Sequence, residues 1–284
     1  MLPLYKCLKK HLFEFLFTYV FLKFKGKGRI FLIKTSTWIK NTNFVLTMAR
    51  LLLIESSEHT CSVALSENGH ITAIREQANC PSVVAVITLM MEACIHETGW
   101  PLHTLDAVAV SAGPGSYTAL RTGVAAAKGM CYALDIPLIG INTLDALAWG
   151  CQMECGEHPD HIYIPMLDAR RDEVWLAAYN GVMELIAAAQ PLNLVDGALD
   201  QWLEKIVPDV GRKKILVSGS GKMKDNGSDI INNSDICRVE HGSARFLLPL
   251  AEKYYVNKVF EQVASFDPIY MKPPNITISK KLIL

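Results

Sequence analysis

Ser111-Ala112-Gly113-Pro114-Gly115-Ser116 is the stretch that most invites a chemical reading. It leaves an apolar run and opens a helical one, so its glycines permit a tight turn and its free N–H groups could cradle an anion. It is neither a GxGxxG nor a Walker loop and brings no lysine; the stronger reading is a strand-to-helix turn with Ser116 as N-cap. Ser218-Gly219-Ser220-Gly221-Lys222 superficially resembles a P-loop. Leu216 stands for its first glycine and Met223 for its Mg-binding Ser/Thr, so it too reads as a turn. Cys151, Cys155, His158 and His161 give C-x3-C-x2-H-x2-H, a set of zinc-ligand types. Closed zinc sites usually separate their ligand pairs by roughly a dozen residues, and a surface linker accounts better for this spacing. Glu55 ends an apolar run and could act as a base or hold Mg, but it lacks a partner constellation. No H-E-x-x-H or G-x-S-x-G occurs, so no catalytic residue, cofactor or metal is assigned.

The elements that must position these residues begin at Met48. Leu51–Ile54 and Cys61–Leu65 read as strands, Ser66–Gly69 as a hairpin turn ending in Asn-Gly, and His70–Glu76 as the returning strand. Helix 82–98, strand Ala107–Ser111, helix 117–134, strand Pro137–Ile141 and helix Leu144–Cys151 follow, in the order βββαβαβα. This predicts an α/β fold with a mixed sheet covered by right-handed crossover helices. The second half starts again with strands Ile162–Leu167 and Glu173–Tyr179. Helix Leu199–Val207, strands Lys214–Ser218 and Cys237–Glu240, and helix Ser243–Asn257 complete a degraded echo. The polar stretch 152–161 marks the boundary, giving subdomains 48–155 and 156–273 and a tail 274–284.

The two helices of the first half carry the functional signal. Helix 82–98 is apolar around nearly its whole circumference, so covering a sheet uses only part of it. Helix 117–134 sets Ala119, Gly123 and Ala127 at four-residue steps, a small-residue ridge that another helix can approach closely. We therefore expect a partner interface made by Val84, Ile87, Met91, Ala119, Leu120, Gly123 and Ala127, against internal packing of the same helices as the alternative.

Lys+Arg and Asp+Glu both number 28. The body from Met48 is acidic and residues 1–47 are basic and aromatic, so the body has no clustered footprint for gripping nucleic acid alone. The apolar run Leu12–Leu22 is interrupted by Glu14 and falls short of the ~20 residues of a membrane span. It is followed by a basic stretch where a signal cleavage site would lie. The eight cysteines are scattered, and reduced cytoplasmic thiols are expected.

The residues also resemble a known family. Leu52-Leu53-Ile54-Glu55-Ser56-Ser57, Cys61–Leu65, the long Gly113-Pro114-Gly115-Ser116-Tyr117-Thr118-Ala119-Leu120-Arg121-Thr122-Gly123 and Gly140–Leu144 are similar to the TsaB (formerly YeaZ) family. So are Asp168-Ala169-Arg170 with Glu173-Val174, and Pro268–Lys272. The resemblance covers roughly 48–273. It implies an actin/Hsp70/sugar-kinase-like (ASKHA, ribonuclease H-like) fold and a non-catalytic partner of TsaD, the tRNA threonylcarbamoyl transferase. TsaE would join the dimer, tRNA would be met only through the complex, and a homodimer would form when TsaD is absent. TsaD carries two metal-binding histidines after its Gly-x-Asn; here Asn142 is followed by Thr143 and Leu147, neither of which can replace imidazole. An ASKHA-type kinase or M22 glycoprotease-like metallopeptidase is the enzyme alternative. Glu55 departs from the family's usual Asp, and Asn79-Cys80-Pro81 from a frequent His before the first interface helix. The first 47 residues are unmatched and are expected to be a basic tail or an annotated extension upstream of a start at Met48. A chain beginning at Met48 should fold and complement as well as the full one. Lost solubility or activity on that truncation would show that the extension belongs to the fold.

Overall fold

A computed structural model of the chain describes residues 19–22, 31–34, 49–80, 82–195, 197–207, 210–224 and 235–272. It divides into two compact units, Met1–Val45 and Leu46–Leu284. In the first, β1 (Tyr19–Leu22) pairs antiparallel with β2 (Phe31–Lys34). The rest of the basic extension lies outside the described residues.

The second unit holds two five-stranded sheets. In the first, β3 (Arg50–Glu55), β4 (Cys61–Glu67) and β5 (His70–Gln77) form an antiparallel meander, with Asn68 and Gly69 at φ 57° and 75° in the turn read from the sequence. Helix α1 (Val83–Thr98) leads to β6 (Ala107–Gly113), and α2 (Tyr117–Leu134) to β7 (Leu138–Asn142), both parallel additions. The order is β5-β4-β3-β6-β7. After α3 (Thr143–Cys155), β8 (His161–Asp168), β9 (Glu173–Asn180) and β10 (Leu185–Asn193) repeat the meander. Then α4 (Ala198–Ile206), β11 (Lys214–Ser218) and β12 (Asp235–Ile236) give the matching order β10-β9-β8-β11-β12, and α5 (Ala244–Val256) follows. Two such mixed sheets in one chain make the ASKHA-type α/β fold expected above.

Layering follows from the apolar pattern. Leu51, Leu53, Ala107, Ala109 and Ile141 face one way and share a core with α3, α5 and the second sheet's Tyr163, Leu167 and Ala177. The alternate residues Leu52, Ile54, Val63, Val108 and Val110 face the other way, onto α1 and α2. The start of α5 is tied to the first sheet: Ala244 N donates to Ser62 Oγ at 3.0 Å, and Arg245 pairs with Glu76 at 3.2 Å. The chain then crosses β7, where Glu261 bridges Leu138, and Ile269 N donates to the Ala112 carbonyl at 2.7 Å.

Three details correct the sequence reading. Helix α3 runs on to Cys155, four residues past the expected end, so the loop is only 156–160. The edge strand β10 was not anticipated, because its Ala-rich sequence, with Pro191, is half-exposed and lacks alternation. The strand expected at 237–240 is instead β12 at 235–236. Cys237 N still bonds the Val217 carbonyl and Gly219 N the Val239 carbonyl at 2.8 Å, but β11 ends at Ser218, where Gly219 takes φ 90°.

Gly123 faces inward. A Cβ there would fall on Ser56 Oγ, itself buried and donating to the Ala119 carbonyl at 3.1 Å. Gly123→Leu should therefore destabilise the isolated chain by about 1–3 kcal/mol or more. Thermal melting checks this, and an unchanged midpoint would place the small-residue ridge elsewhere.

Candidate interaction face and the buried Glu55 cluster

Helix α1 lies on the first sheet through Val83, Ile87, Met91 and Cys94, a stripe at helical spacing. It starts after Ser82, whose side chain makes no capping bond, and stops at Gly99 in the left-handed region. Its outward side is still apolar: Val84 and Leu89 are each 62% exposed. Neighbouring α2 buries Ala119, Leu120, Gly123, Val124, Ala127 and Cys131. Its outward stripe is Thr118, Arg121, Ala125, Gly129 and Tyr132, with Tyr132 87% exposed. An added Cβ at Gly129 would meet nothing.

Of the expected interface residues only Val84 is on the surface. Ile87, Met91, Ala119, Leu120, Gly123 and Ala127 are buried in the chain's own core. The sequence does not separate these faces, because sheet-facing and outward residues are both apolar on α1 and both small on α2. Leu89 and Tyr132, absent from the expected interface set, are left exposed on these helices together with Tyr117.

The loop Ser111–Ser116 is used for chain proximity. Gly113 lies under the carbonyl of Ile269, which an added Cβ would approach to 2.6 Å, and Gly115 lies against Ser57. Ser116 takes the N-cap position, but its side chain makes no capping bond and its N–H donates to the Ser57 carbonyl at 2.6 Å. That N–H is thereby lost to an anion. Tyr270 packs on Tyr117 with ring centroids 4.8 Å apart, and Lys272 pairs with Glu173 while lying over the Trp175 ring. The second Gly-rich stretch is a 3-10 turn, as read from the sequence. Its Lys222 is buried, bonding the Cys237 carbonyl at 3.0 Å.

Asn142 caps α3, its Oδ1 accepting from Leu144 N at 2.8 Å, while Leu147 is wholly buried in the shared core. Glu55 is 1% exposed. Its Oε1 accepts from Ser57 N at 2.7 Å and Oε2 has no hydrogen-bond partner. Burial pushes its carboxyl from 4.5 up to about 7, opposed by the Ser57 bonds and reinforced by Glu58. A side chain at Gly242 would strike it, with Cβ 2.9 Å from Cδ, so the second half of the chain closes over the group. Glu58 bonds Ser220 and lies 3.9 Å from His241, whose ring it holds above the usual histidine range.

The four residues of the zinc-like pattern are not brought together as a set. His158 is exposed beside Asp160, and His161 Nδ1 is 3.1 Å from the Gly156 carbonyl. Cys151 and Cys155 converge instead with Cys237, which the sequence pattern omitted. A hydrogen bond from Cys151 and the charge of Lys222 pull the Cys237 thiol down, and its partner Cys151 is pushed up. Among the described residues every cysteine is free, and no helix is long and apolar enough to cross a membrane.

Comparison with known proteins adds three findings. The family model for TsaD, tRNA N6-adenosine threonylcarbamoyltransferase, matches residues 82–201. The chain is 30% identical over 164 residues to the Bacillus subtilis tRNA threonylcarbamoyladenosine biosynthesis protein TsaB, covering 55% of this chain and 65% of that one. It is 26% identical over 236 residues to the Haemophilus influenzae protein of the same name, covering 78% and 93%. The solved structure of YeaZ from Pseudomonas aeruginosa superposes with a TM-score of 0.66 at 23% identity, over 79% of this chain and all of that one, which supports the fold.

Glu55 has a testable pH signature. Its raised folded pKa means the native state binds the proton more tightly than the unfolded chain. The stability this confers is present below 4.5 and lost as pH rises to about 7. Glu55→Gln should match the parent at about pH 4 and exceed it by up to about 3 kcal/mol at about pH 8. Urea unfolding at both values measures the difference; an equal gap at each would mean that the carboxyl is not sealed.

Proposed function

The chain belongs to the TsaB (YeaZ) family, and on that premise we propose that it is a non-catalytic subunit of tRNA threonylcarbamoyladenosine biosynthesis that binds TsaD through the outward faces of α1 and α2. TsaD supplies the catalytic groups and transfers threonylcarbamoyl from threonylcarbamoyl-AMP to N6 of the adenosine next to the anticodon. This chain holds TsaD in its active form, TsaE joins the pair, and all work in the cytoplasm.

The observation that carries the reading is the pair of parallel-strand helices whose outer sides expose Val84, Leu89 and Tyr132. Large apolar groups around a small-residue floor of Ala85, Ala125 and Gly129 are what a second helix pair can bury. The TsaD family model itself matches from residue 82 onward, so the transferase carries a segment of the same kind. Like can then meet like in a pseudo-twofold contact, and a second copy of this chain can occupy the place of TsaD when the latter is absent. The enzyme alternatives find no support at their own positions. Leu147 is a core residue, Lys222 is turned to the Cys237 carbonyl, and Glu55 lies under Gly242.

Met91→Glu would bury a charge and unfold the chain, so the informative variants are Leu89→Glu and Tyr132→Glu, with Val182→Glu on an unrelated exposed turn as control. Each of the first two should weaken association with the same organism's TsaD by about tenfold or more, with unchanged melting. Transfer to tRNA should need added TsaD and fall with the same variants. Parent-like binding by both variants would remove these helices as the interface, and transfer by this chain alone would overturn the non-catalytic assignment.

A further inference from the structure

The sulfurs of Cys151, Cys155 and Cys237 all lie within 4.8 Å of one another. The first two are four residues apart on the last turn of α3 and so share one helix face. The third follows β12 and is fixed by its N–H to the Val217 carbonyl at 3.2 Å. A tetrahedral ion with metal–sulfur bonds of about 2.3 Å holds its sulfurs about 3.8 Å apart, a small contraction from this arrangement. Cys151 and Cys237 are buried and Cys155 is half-buried, so the triangle is closed inward and open on one side.

Two charges around the triangle favour a metal over a plain apolar cluster. The Lys222 side chain is 5% exposed and its Nζ sits 3.0 Å from the Cys237 carbonyl. Its carboxylate partner, Glu240, is 3.4 Å away and 62% exposed, which leaves a buried ammonium poorly compensated. Three thiolates around a divalent ion carry one net negative charge beside it. The carbonyl end of α3 carries the negative pole of the helix dipole, which favours a cation at its last turn and disfavours a bare thiolate.

We propose that Cys151, Cys155 and Cys237 form a three-thiolate site for a thiophilic metal ion of the zinc class, with a fourth, solvent-derived ligand entering beside Cys155. On binding, each thiol gives its proton to solvent and its sulfur lone pair to the ion; nothing is oxidised or reduced. His158 and His161 take no part, and neither helix of the proposed partner face is involved, so the site stands or falls independently of the TsaD reading.

The test uses the full chain, chelator-stripped and kept reduced, titrated with Co(II) and then Zn(II). A thiolate-to-cobalt charge-transfer band should saturate at one ion per chain and disappear on zinc addition, and zinc should raise the melting temperature. Cys155→Ser, at the half-buried position, should keep the fold and lose roughly a third of the band, one thiolate of three. Its zinc affinity should drop about tenfold or more. Cys237→Ser should do the same where its metal-free melt matches the parent. His158→Ala and Cys131→Ser should leave the titration unchanged. Absence of the band in the reduced parent, parent-like zinc affinity in Cys155→Ser, or an equal loss in His158→Ala would each overturn the site.

Discussion

The close contact of Phe246 with Gly150 sets the rest of the architecture. A Cβ at Gly150 would lie 2.7 Å from the Phe246 ring, so α3 and α5 can cross at this distance only because one of them has no side chain there. These two helices fill the space between the sheets, and their residues, from Leu144 to Ala251, belong to one core with both. Because one side of the first sheet is committed to that core, α1 and α2 must cover the other. Among the described residues, their outer sides leave Val84, Leu89 and Tyr132 exposed.

The same economy explains the loops that look chemical. In the Ser111–Ser116 turn the glycines let two other backbones, at Ser57 and Ile269, come within bonding distance. Lys222 and Glu58 are spent on neighbours within the fold, the first on Cys237 and Glu240, the second on Ser220 and His241. Of these contacts, those of Glu58 with Ser220 and His241 and that of Ile269 with Ala112 tie the two halves together.

Much of the fold was legible because its strands are short apolar runs and its turns carry Asn-Gly or Gly-Pro. The first half was read almost element by element, and α2 and β11 to the residue. β10 escaped because an exposed edge strand has no buried face to impose alternation. The site was half legible. The apolar character of α1 followed from composition, but Ile87 and Met91 could be told from Val84 and Leu89 only by knowing where the sheet lies. The cysteine triangle was out of reach for a related reason. Cys237 joins Cys151 and Cys155 through the parallel pairing of β12 with β11, which no local spacing records.

The path of the chain after α5 has a consequence for how the molecule is made. Residues 259–271 return from the second half to the first, where Glu261 bridges Leu138, Lys128 Nζ bonds the carbonyl of Phe266 at 2.8 Å, and Ile269 seals the Ala112 edge. The first half therefore cannot finish its own surface as it leaves the ribosome. The β7 side of its sheet stays open until residues 259–271 have been synthesised. Closing contacts of such wide sequence separation is slow, and in the interval unpaired backbone is accessible to other chains. Truncations near the C-terminus should thus damage the first half more than the second. The nascent chain has its greatest need of protection before Pro268–Lys272 emerges.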